Sequence, residues 1–392
     1  MDAINSNAEL SRCVRCGTCK TLCPTYLTTR NETMGARGRV AMLGELGMDR
    51  LAPTGTLAEK IFSCMLCGAC KGMCPVGIDI PEVIYRGRAV LKKTFGRGRF
   101  ARAALRYSAA NMDTFFSLLR MVRRLSFGAG NIPEITSRPF RKNVQLFKNM
   151  RKIGRVAIFA GCSVNYFYPR MGNALSNILM TKGYETVVFK GESCCGAPFR
   201  SMGLEDTAAQ LAQKNIELFS RVRAEAIISI CPTCTMVIKE QYPVLTGRTI
   251  DGIMDVNEFF IRSGITGGLE TAASVVTYHD PCHMSHGLRI KEEPRKILKG
   301  MGGIEFVEME HADECCGFGG LFSRYYKEMS MDIGNRKLGS IAATSADTVV
   351  TSCPGCIMQL EHLRQSSKKD FRVMHIIELV DEAMRVAAVG TD

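Results

Sequence analysis

The chain is expected to be an α+β protein, with a helical, cysteine-rich N-terminal part followed by two copies of one α/β unit. Three observations lead there. One cysteine pattern occurs twice in the C-terminal part at nearly constant spacing. Short apolar runs alternate with helical periodicity in both copies. Ahead of them, eight further cysteines fall in two runs of identical spacing, with a helical pattern in between.

At 392 residues the chain is long enough for two or three domains with cores of their own. Its 46% apolar and 23% charged content is ordinary globular composition, but its 18 cysteines are not ordinary. A disulfide framework belongs to short secreted chains, and residues 1–12 are polar, without the apolar stretch of an export signal. No apolar run reaches the roughly 18 residues that span a bilayer. The expectation is a cytoplasmic chain that keeps its thiols for metal.

Cys13, Cys16, Cys19 and Cys23, followed by Pro24, spell C-x2-C-x2-C-x3-C-P; Cys64, Cys67, Cys70 and Cys74, followed by Pro75, repeat it. This is the bacterial ferredoxin run, which binds two 4Fe–4S cubanes, the fourth cysteine of each run crossing to the other cluster. Two-residue steps wrap a loop around three corners of a cluster, and Gly17 and Gly68 let the backbone turn beside it. The expected metal ligands are Cys13, Cys16, Cys19 and Cys74 for one cubane, and Cys64, Cys67, Cys70 and Cys23 for the other. Zinc also uses Cys-x2-Cys pairs, but it would leave the third and fourth cysteines of each run unexplained. Forty residues part the runs and 37–46 reads as a helix, so 1–95 is expected to be a helical ferredoxin-like two-cubane domain.

Residues 96–152 read as a basic linker. Within 97–152, thirteen Lys or Arg stand against Asp113 and Glu134, a net +11 out of the chain's formal +13. Met112, Phe115, Phe116, Leu119 and Val122 follow helical spacing, with Asp113, Ser117, Arg120 and Arg124 facing away. Such a basic amphipathic helix suits an anionic membrane surface or a partner. A linker helix that covers the cluster domain, its arginines solvated, fits the pattern equally. Nucleic acid is not expected, because no binding motif accompanies the charge.

The duplicated pattern begins at Cys162, continues through Cys194–Cys195–Gly196 and closes at Cys231 and Cys234; it returns as Cys282, Cys315–Cys316–Gly317, Cys353 and Cys356. Equivalent positions differ by 120, 121 and 122, the mark of an internal repeat. Strand-like runs at 155–160, 186–189 and 226–230 alternate with helical ones at 173–180 and 207–222. In the second copy the strands are 275–278, 304–307 and 348–351, with a helix at 327–343. Such alternation implies parallel βαβ units, divided here as 153–265 and 266–392. Cys162, Cys231, Cys282 and Cys353 each follow a strand, where α/β folds place their ligands. Five cysteines per copy is one more than a cubane needs.

The spacing C-x(31–32)-C-C-x(35–36)-C-x-x-C resembles the CCG domain of heterodisulfide reductase B and D subunits. The order of a ferredoxin pair, a basic linker and two CCG domains is similar to the D-type subunit. It is also similar to the iron–sulfur subunits of glycolate oxidase, D-lactate dehydrogenase and anaerobic glycerol-3-phosphate dehydrogenase. The resemblance implies one or two noncubane 4Fe–4S clusters, on Cys162, Cys194, Cys195, Cys231 and Cys234 and on Cys282, Cys315, Cys316, Cys353 and Cys356. In the disulfide reductases such clusters cleave the substrate, which would make Cys315, Cys316, Cys353 and Cys356 catalytic. Glycolate oxidase-type relatives often lack one cysteine of the closing pair, and this chain lacks none. The runs GCSVNYFYP, YHDPCH and CCGFGGLFS and the triplet Arg37–Gly38–Arg39 look more like the dehydrogenase subunits.

Around Cys282, His279, His283 and His286 are candidates to hydrogen-bond cluster sulfurs or relay a proton. His283 is favoured for that role, whereas His286 is expected to cap the turn. Gly317-x-Gly319-Gly320 departs from a dinucleotide fingerprint, and no P-loop occurs, so no flavin or nucleotide is expected on this chain. Oxidising a 2-hydroxy acid or glycerol phosphate removes a hydride, which needs a flavin or nicotinamide. The expected function is therefore an electron-transfer subunit, relaying electrons from a FAD-linked dehydrogenase towards membrane quinone. The expected partners are that dehydrogenase, a quinone-reducing or cytochrome subunit, and the inner face of the cytoplasmic membrane. The alternative is a heterodisulfide reductase-like catalytic subunit.

Overall fold

The computed structural model describes residues 8–125, 134–144 and 153–389. Its first part is helical. α1 (Ala36–Gly47), α2 (Gly55–Phe62) and α3 (Ile80–Leu91) pack through Val40, Leu43, Ala58, Ile61, Ile84 and Leu91, all buried. Their ends follow from local chemistry. Thr54 Oγ1 accepts from Leu57 N at 3.2 Å to start α2, and Asp79 accepts from Glu82 N at 3.1 Å to start α3.

Two helices follow, α4 (Arg99–Ala110) and α5 (Met112–Leu125), and α5 is rotated from the face its periodicity implied. Phe116 stacks on Tyr166 with ring centroids 4.0 Å apart, and the Tyr166 hydroxyl donates to Asp113. Asp113 also pairs with Lys142 at 2.9 Å, and Arg120 Nη1 donates to Thr136 O at 3.1 Å. Asp113 and Arg120, expected outward, are therefore anchors. Val122, expected inward, is exposed together with Leu118 and Met121. The partners that set the rotation lie beyond the helix, where periodicity within it carries no information. The side chain of Arg124 lies outside the described residues.

Each C-terminal copy is a four-stranded parallel sheet. In the first, β1 (Gly154–Phe159), β2 (Tyr184–Val188), β3 (Ala226–Ser229) and β4 (Ile253–Asp255) lie in the order β2-β1-β3-β4. Its longer helices are α6 (Pro169–Thr181), α7 (Glu205–Ser220) and α8 (Val256–Ser263). In the second, β5 (Glu270–His279), β6 (Gly302–Phe306), β7 (Thr348–Thr351) and β8 (Arg372–His375) take the order β6-β5-β7-β8. Its longer helices are α9 (Glu292–Lys299), α10 (Lys327–Ala343), α11 (Pro354–Ser367) and α12 (Ile376–Val389).

The copies match closely. The buried face of α7 is Ala208, Leu211, Ala212, Asn215, Ile216 and Phe219; that of α10 is Ser330, Ile333, Gly334, Lys337, Leu338 and Ile341, each 122 positions later. They also interlock. The last helix of the second copy, α12, packs on α6 of the first, while α8 of the first packs on α9 of the second. One core therefore runs from Val156 and Leu175 through Phe260 to Ile297 and Leu379. Two strands, β4 and β8, were not foreseen: at three and four residues they are too short to show a period of two. β5 starts earlier than expected because its first residues are largely exposed and give no apolar signal.

Candidate metal centre

The eight N-terminal cysteines converge in two groups. Cys13, Cys16, Cys19 and Cys74 line one hollow with Arg37, Val40 and Pro75. Cys23, Cys64, Cys67 and Cys70 line a second with Arg39, Leu66 and Ile84. The fourth cysteine of each run thus stands with the first three of the other. Both loops use the same backbone device. Arg15 and Leu66 take positive φ (56° and 58°), and Gly17 and Gly68 follow at 87° and 83°, turning the chain tightly around the hollow.

Arginines stand behind both hollows. Arg37 Nη1 donates to Arg15 O at 3.0 Å, and its Nε donates to Glu32 at 2.7 Å. Arg39, 1% exposed, donates to Lys60 O at 2.8 Å, Thr25 Oγ1 at 3.1 Å and Ser63 Oγ at 2.9 Å. The two cations flanking Gly38 therefore serve different hollows. Burial, then the neighbouring Cys13 and Cys23, push the Cys19 thiol up to about 11, so these thiols need a cationic partner before all can ionise.

The ten C-terminal cysteines gather in two sets, each at the carboxyl ends of its strands. Cys162, Cys194, Cys195, Cys231 and Cys234 form the first set, where Cys195 is pushed down to about 6 by its hydrogen bond with Cys194 and then with Cys234. Cys282, Cys315, Cys316, Cys353 and Cys356 form the second, where Cys316 is held well below the ordinary thiol value by Cys315 and then Cys356. Eight of the ten are buried, Cys162 and Cys282 being the exceptions.

These groups touch one another in a definite order. Cys67 of the second N-terminal group and Cys282 and Cys315 of the last set line one hollow with His286, Leu27 and Arg336. Cys231 and Cys353, equivalent residues of the two copies, hydrogen-bond to each other. The row thus runs from exposed Cys16, through the two N-terminal groups, into the second copy's set and on to the first copy's set.

Polar contacts seat the N-terminal part on both copies. Arg88 Nη1 donates to Ser201 O at 2.8 Å, Arg200 pairs with Glu82 at 2.8 Å, and Gln241 Nε2 donates to Tyr85 OH at 3.1 Å. On the second copy, Tyr326 OH donates to Glu59 O at 3.0 Å and Arg336 Nη1 to Thr28 Oγ1 at 2.9 Å.

The three histidines near Cys282 part company. His283, favoured from sequence to face a cluster, has both nitrogens engaged elsewhere: Nε2 with Leu66 O at 3.0 Å and Nδ1 with Thr233 Oγ1 at 2.8 Å. Burial lowers its pKa, keeping it a neutral bridge between three parts of the chain. His286, expected as a turn cap, lines the hollow between Cys67 and Cys282. His279 faces the thiols, with a ring nitrogen and the sulfurs of Cys316 and Cys356 all within 4.8 Å of one another.

Sequence reasoning missed Lys337, whose Nζ donates to His311 O at 2.6 Å and Ala312 O at 3.2 Å just ahead of Cys315. A lysine inside the apolar stripe of α10 was the available signal. It also missed His375, buried against Ile230 O at 3.2 Å and lowered by burial to about 4.

Groups of four and five thiols around hollows are soft donor sets suited to iron–sulfur clusters. Fold and donors together define an iron–sulfur protein of mixed helical and parallel-sheet architecture. The chain matches the 4Fe-4S dicluster domain over residues 9–78, and the cysteine-rich domain (CCG) over 156–239 and again over 276–361. It is 30% identical to an uncharacterized iron-sulfur protein of Methanococcus maripaludis, over 98% of this chain and 75% of that one. It is 29% identical to the probable glycolate oxidase iron-sulfur subunit of Bacillus subtilis, over 96% of this chain and 94% of that one. With the D-type subunit of the dihydromethanophenazine:CoB–CoM heterodisulfide reductase of Methanosarcina acetivorans it shares 26%, over 96% and 94%. A crystal structure of a hypothetical protein from Helicobacter pylori, 12% identical, shares the fold with a TM-score of 0.56 over 93% of this chain and 71% of that one. The chain belongs to the family of iron–sulfur proteins that join a 4Fe-4S dicluster domain to duplicated CCG domains. Among the described residues, no helix is long and apolar enough to cross a membrane.

Proposed function

We propose that this chain is the electron-transfer subunit of a respiratory oxidoreductase complex, accepting electrons from a FAD-linked dehydrogenase of a 2-hydroxy acid or of glycerol 3-phosphate. The onward acceptor is membrane quinone, through a quinone-reducing or cytochrome subunit. Cys13, Cys16, Cys19 and Cys74 hold one cubane and Cys23, Cys64, Cys67 and Cys70 the other, within a ferredoxin-like domain at 1–95. A basic linker at 96–152 leads to CCG domains at 153–265 and 266–392, whose five-cysteine sets hold noncubane clusters. Bound clusters supply one-electron transfer. The protein's share is to space the sites, bury them and bring them into contact.

The observation that carries this reading is the unbroken row of thiol sets from exposed Cys16 to the buried pair Cys231 and Cys353. The glycolate oxidase-type relative supports the dehydrogenase as donor. Anoxic purification from the native host tests it, with a FAD-containing dehydrogenase expected in the complex. Cys67→Ser should then stop electron flow to quinone while the flavoprotein still reduces an artificial dye. A complex that holds no such flavoprotein would refute the proposal.

A second reading has its own support. Both copies keep all five cysteines, and Cys231 meets Cys353 between them. That arrangement suits reductive cleavage of a disulfide, two electrons and two protons giving two thiols, with Cys315, Cys316, Cys353 and Cys356 in the catalytic set. Replacing Cys315 or Cys353 should then abolish disulfide cleavage driven by a chemical donor. A wild-type protein that turns over no disulfide would rule it out.

A further inference from the structure

The geometry points to two inequivalent five-thiol centres, the second made easier to reduce by His279 and Lys337. This rests on reading both sets as iron–sulfur sites. The duplication supplies its own control, because each residue near one set has a counterpart near the other. β1 ends on Phe159 and β5 on His279, and their register partners, Ser229 and Thr351, are also counterparts. His279 is fully buried, neither ring nitrogen has a hydrogen-bond partner, and one lies within 4.8 Å of the Cys316 and Cys356 sulfurs. Phe159 offers nothing comparable. It is buried in apolar company, edge-on to Phe219 at 5.7 Å.

The second difference lies on the helices. α10 buries Lys337 where α7 buries Asn215. Both tie down the segment that enters the double cysteine. Asn215 does so with a neutral amide, its Oδ1 accepting from Ser193 N at 2.9 Å and its Nδ2 donating to Cys194 O at 3.2 Å. Lys337 does so through His311 O and Ala312 O. Since an amide suffices in one copy, the fold does not demand a cation in the other. Neighbouring acids do not separate the copies: Asp280 in the second is paired with Arg295 at 2.9 Å, and Glu192 beside the first accepts from Gly161 N at 2.9 Å and pairs with Arg141 at 3.9 Å.

Reduction adds negative charge to a centre whose thiolate ligands already bring several. In a buried site, an N–H aimed at a ligand sulfur and a nearby cation both stabilise that added charge and raise the potential. In the second set His279 is placed to supply the first and Lys337 the second, and this set is also the one that adjoins Cys67. Electrons arriving from the N-terminal sites therefore settle there first, with the first copy's centre beyond it.

Redox titration of the anoxic holoprotein, followed by electron paramagnetic resonance with iron counted in every sample, tests this. His279→Phe and Lys337→Asn are each expected to lower only the more positive of the two noncubane midpoints. At the wild-type midpoint the oxidised-to-reduced ratio should rise at least tenfold, equivalent to about 59 mV for one electron. Phe159→His should raise the other midpoint. In wild type labelled with 15N-histidine, the more positive centre should show nitrogen coupling that His279→Phe removes. Unchanged midpoints at full iron content, or no histidine coupling in the wild type, would overturn the inference. Iron sufficient only for the two cubanes would overturn the cluster reading beneath it.

Discussion

Arg88→Met tests whether a single buried cation holds the N-terminal cluster sites against the first CCG copy. Arg88 is 4% exposed, and its guanidinium donates to four carbonyls: Ile61 and Phe62 at the end of α2, Cys64 within the second cysteine run, and Ser201 beyond the double cysteine. It also lies 5.1 Å from the centre of the Phe62 ring. Burial holds its pKa below the ordinary arginine value, so part of the hydrogen-bond energy already offsets desolvation. Methionine fills similar space but leaves the carbonyls without a donor. Each buried acceptor left unsatisfied costs about 1–3 kcal/mol, non-additively and offset in part by the guanidinium desolvation that is relieved, so the four together are expected to cost about 3–5 kcal/mol. With an unfolding entropy of about 2.1 cal/mol/K per residue, 392 residues convert that loss to a fall of about 4–6 °C in melting temperature. The assay is anoxic thermal unfolding of the holoprotein, with iron retention at 25 °C alongside. Arg88→Lys should recover only part of the loss, since an ammonium cannot span all four acceptors. A methionine variant melting within about 1 °C of wild type, with full iron, would refute the reasoning.

Asp255 is fully buried, caps α8 by accepting from Asn257 N at 2.9 Å, and has its pKa raised by burial from 3.8 to about 7. A raised carboxyl pKa means the folded state holds its proton longer. Stability is therefore lost as pH rises from about 4 to 7, by about 4 kcal/mol in all. Asp255→Asn keeps a capping oxygen, so its melting temperature should exceed wild type at pH 8 and converge with it towards pH 5; a constant gap would contradict this. Gly317→Ala should be far costlier than Gly196→Ala. Both positions have positive φ (93° and 98°), but an added methyl at Gly317 would lie 2.4 Å from Ser330 O, whereas at Gly196 the nearest atoms are 3.5 Å away. A strain of about 1–2 kcal/mol is shared by both, and only the first adds a backbone clash, which paired unfolding curves would reveal. Phe100, 77% exposed, and Met121 stand on the basic α4–α5 segment. Phe100→Ser with Met121→Ser should weaken co-sedimentation with anionic phospholipid vesicles several-fold while leaving iron content unchanged; equal binding would remove α4 and α5 as the membrane contact.

What could be read from sequence divides by the range of the interaction. Cysteine spacing is local chemistry, and both the repeat offset and the crossed grouping of Cys23 and Cys74 have counterparts in the fold. Longer strands and helices announce themselves by period. β4 and β8 do not, because Ile253–Asp255 and Arg372–His375 pair only once the sheet exists. The histidines show the limit at the site. Adjacency to Cys282 favoured His283, but its ring is claimed by Leu66 O, 217 positions away. His279, three positions before the same cysteine, faces sulfurs that only the folded sheet brings near it. Buried cations escaped for the same reason: the acceptors of Arg88, and Glu82 in the shorter of the two ion pairs of Arg200, are 24 to 118 positions distant.

Duplication explains why two of the sites meet, and docking explains why the row is not symmetric. Two copies that each place their cysteine loops beyond the strand ends, and that exchange their last helices, bring equivalent loops together; Cys231 and Cys353 are counterparts and touch. By itself such an arrangement would give either copy equal access to the N-terminal sites. The N-terminal part breaks that equality. His283 bridges Leu66 to Thr233, whereas its counterpart in the first copy is Ser163, which has no side chain able to make such a span. On the other flank Arg88 and Arg200 hold the same helices to the first copy through Ser201 and Glu82. The second N-terminal group is thereby seated beside Cys282 rather than Cys162. The order of sites is thus set by a few buried polar side chains, and the asymmetry between Phe159 and His279 falls on the copy those side chains have selected.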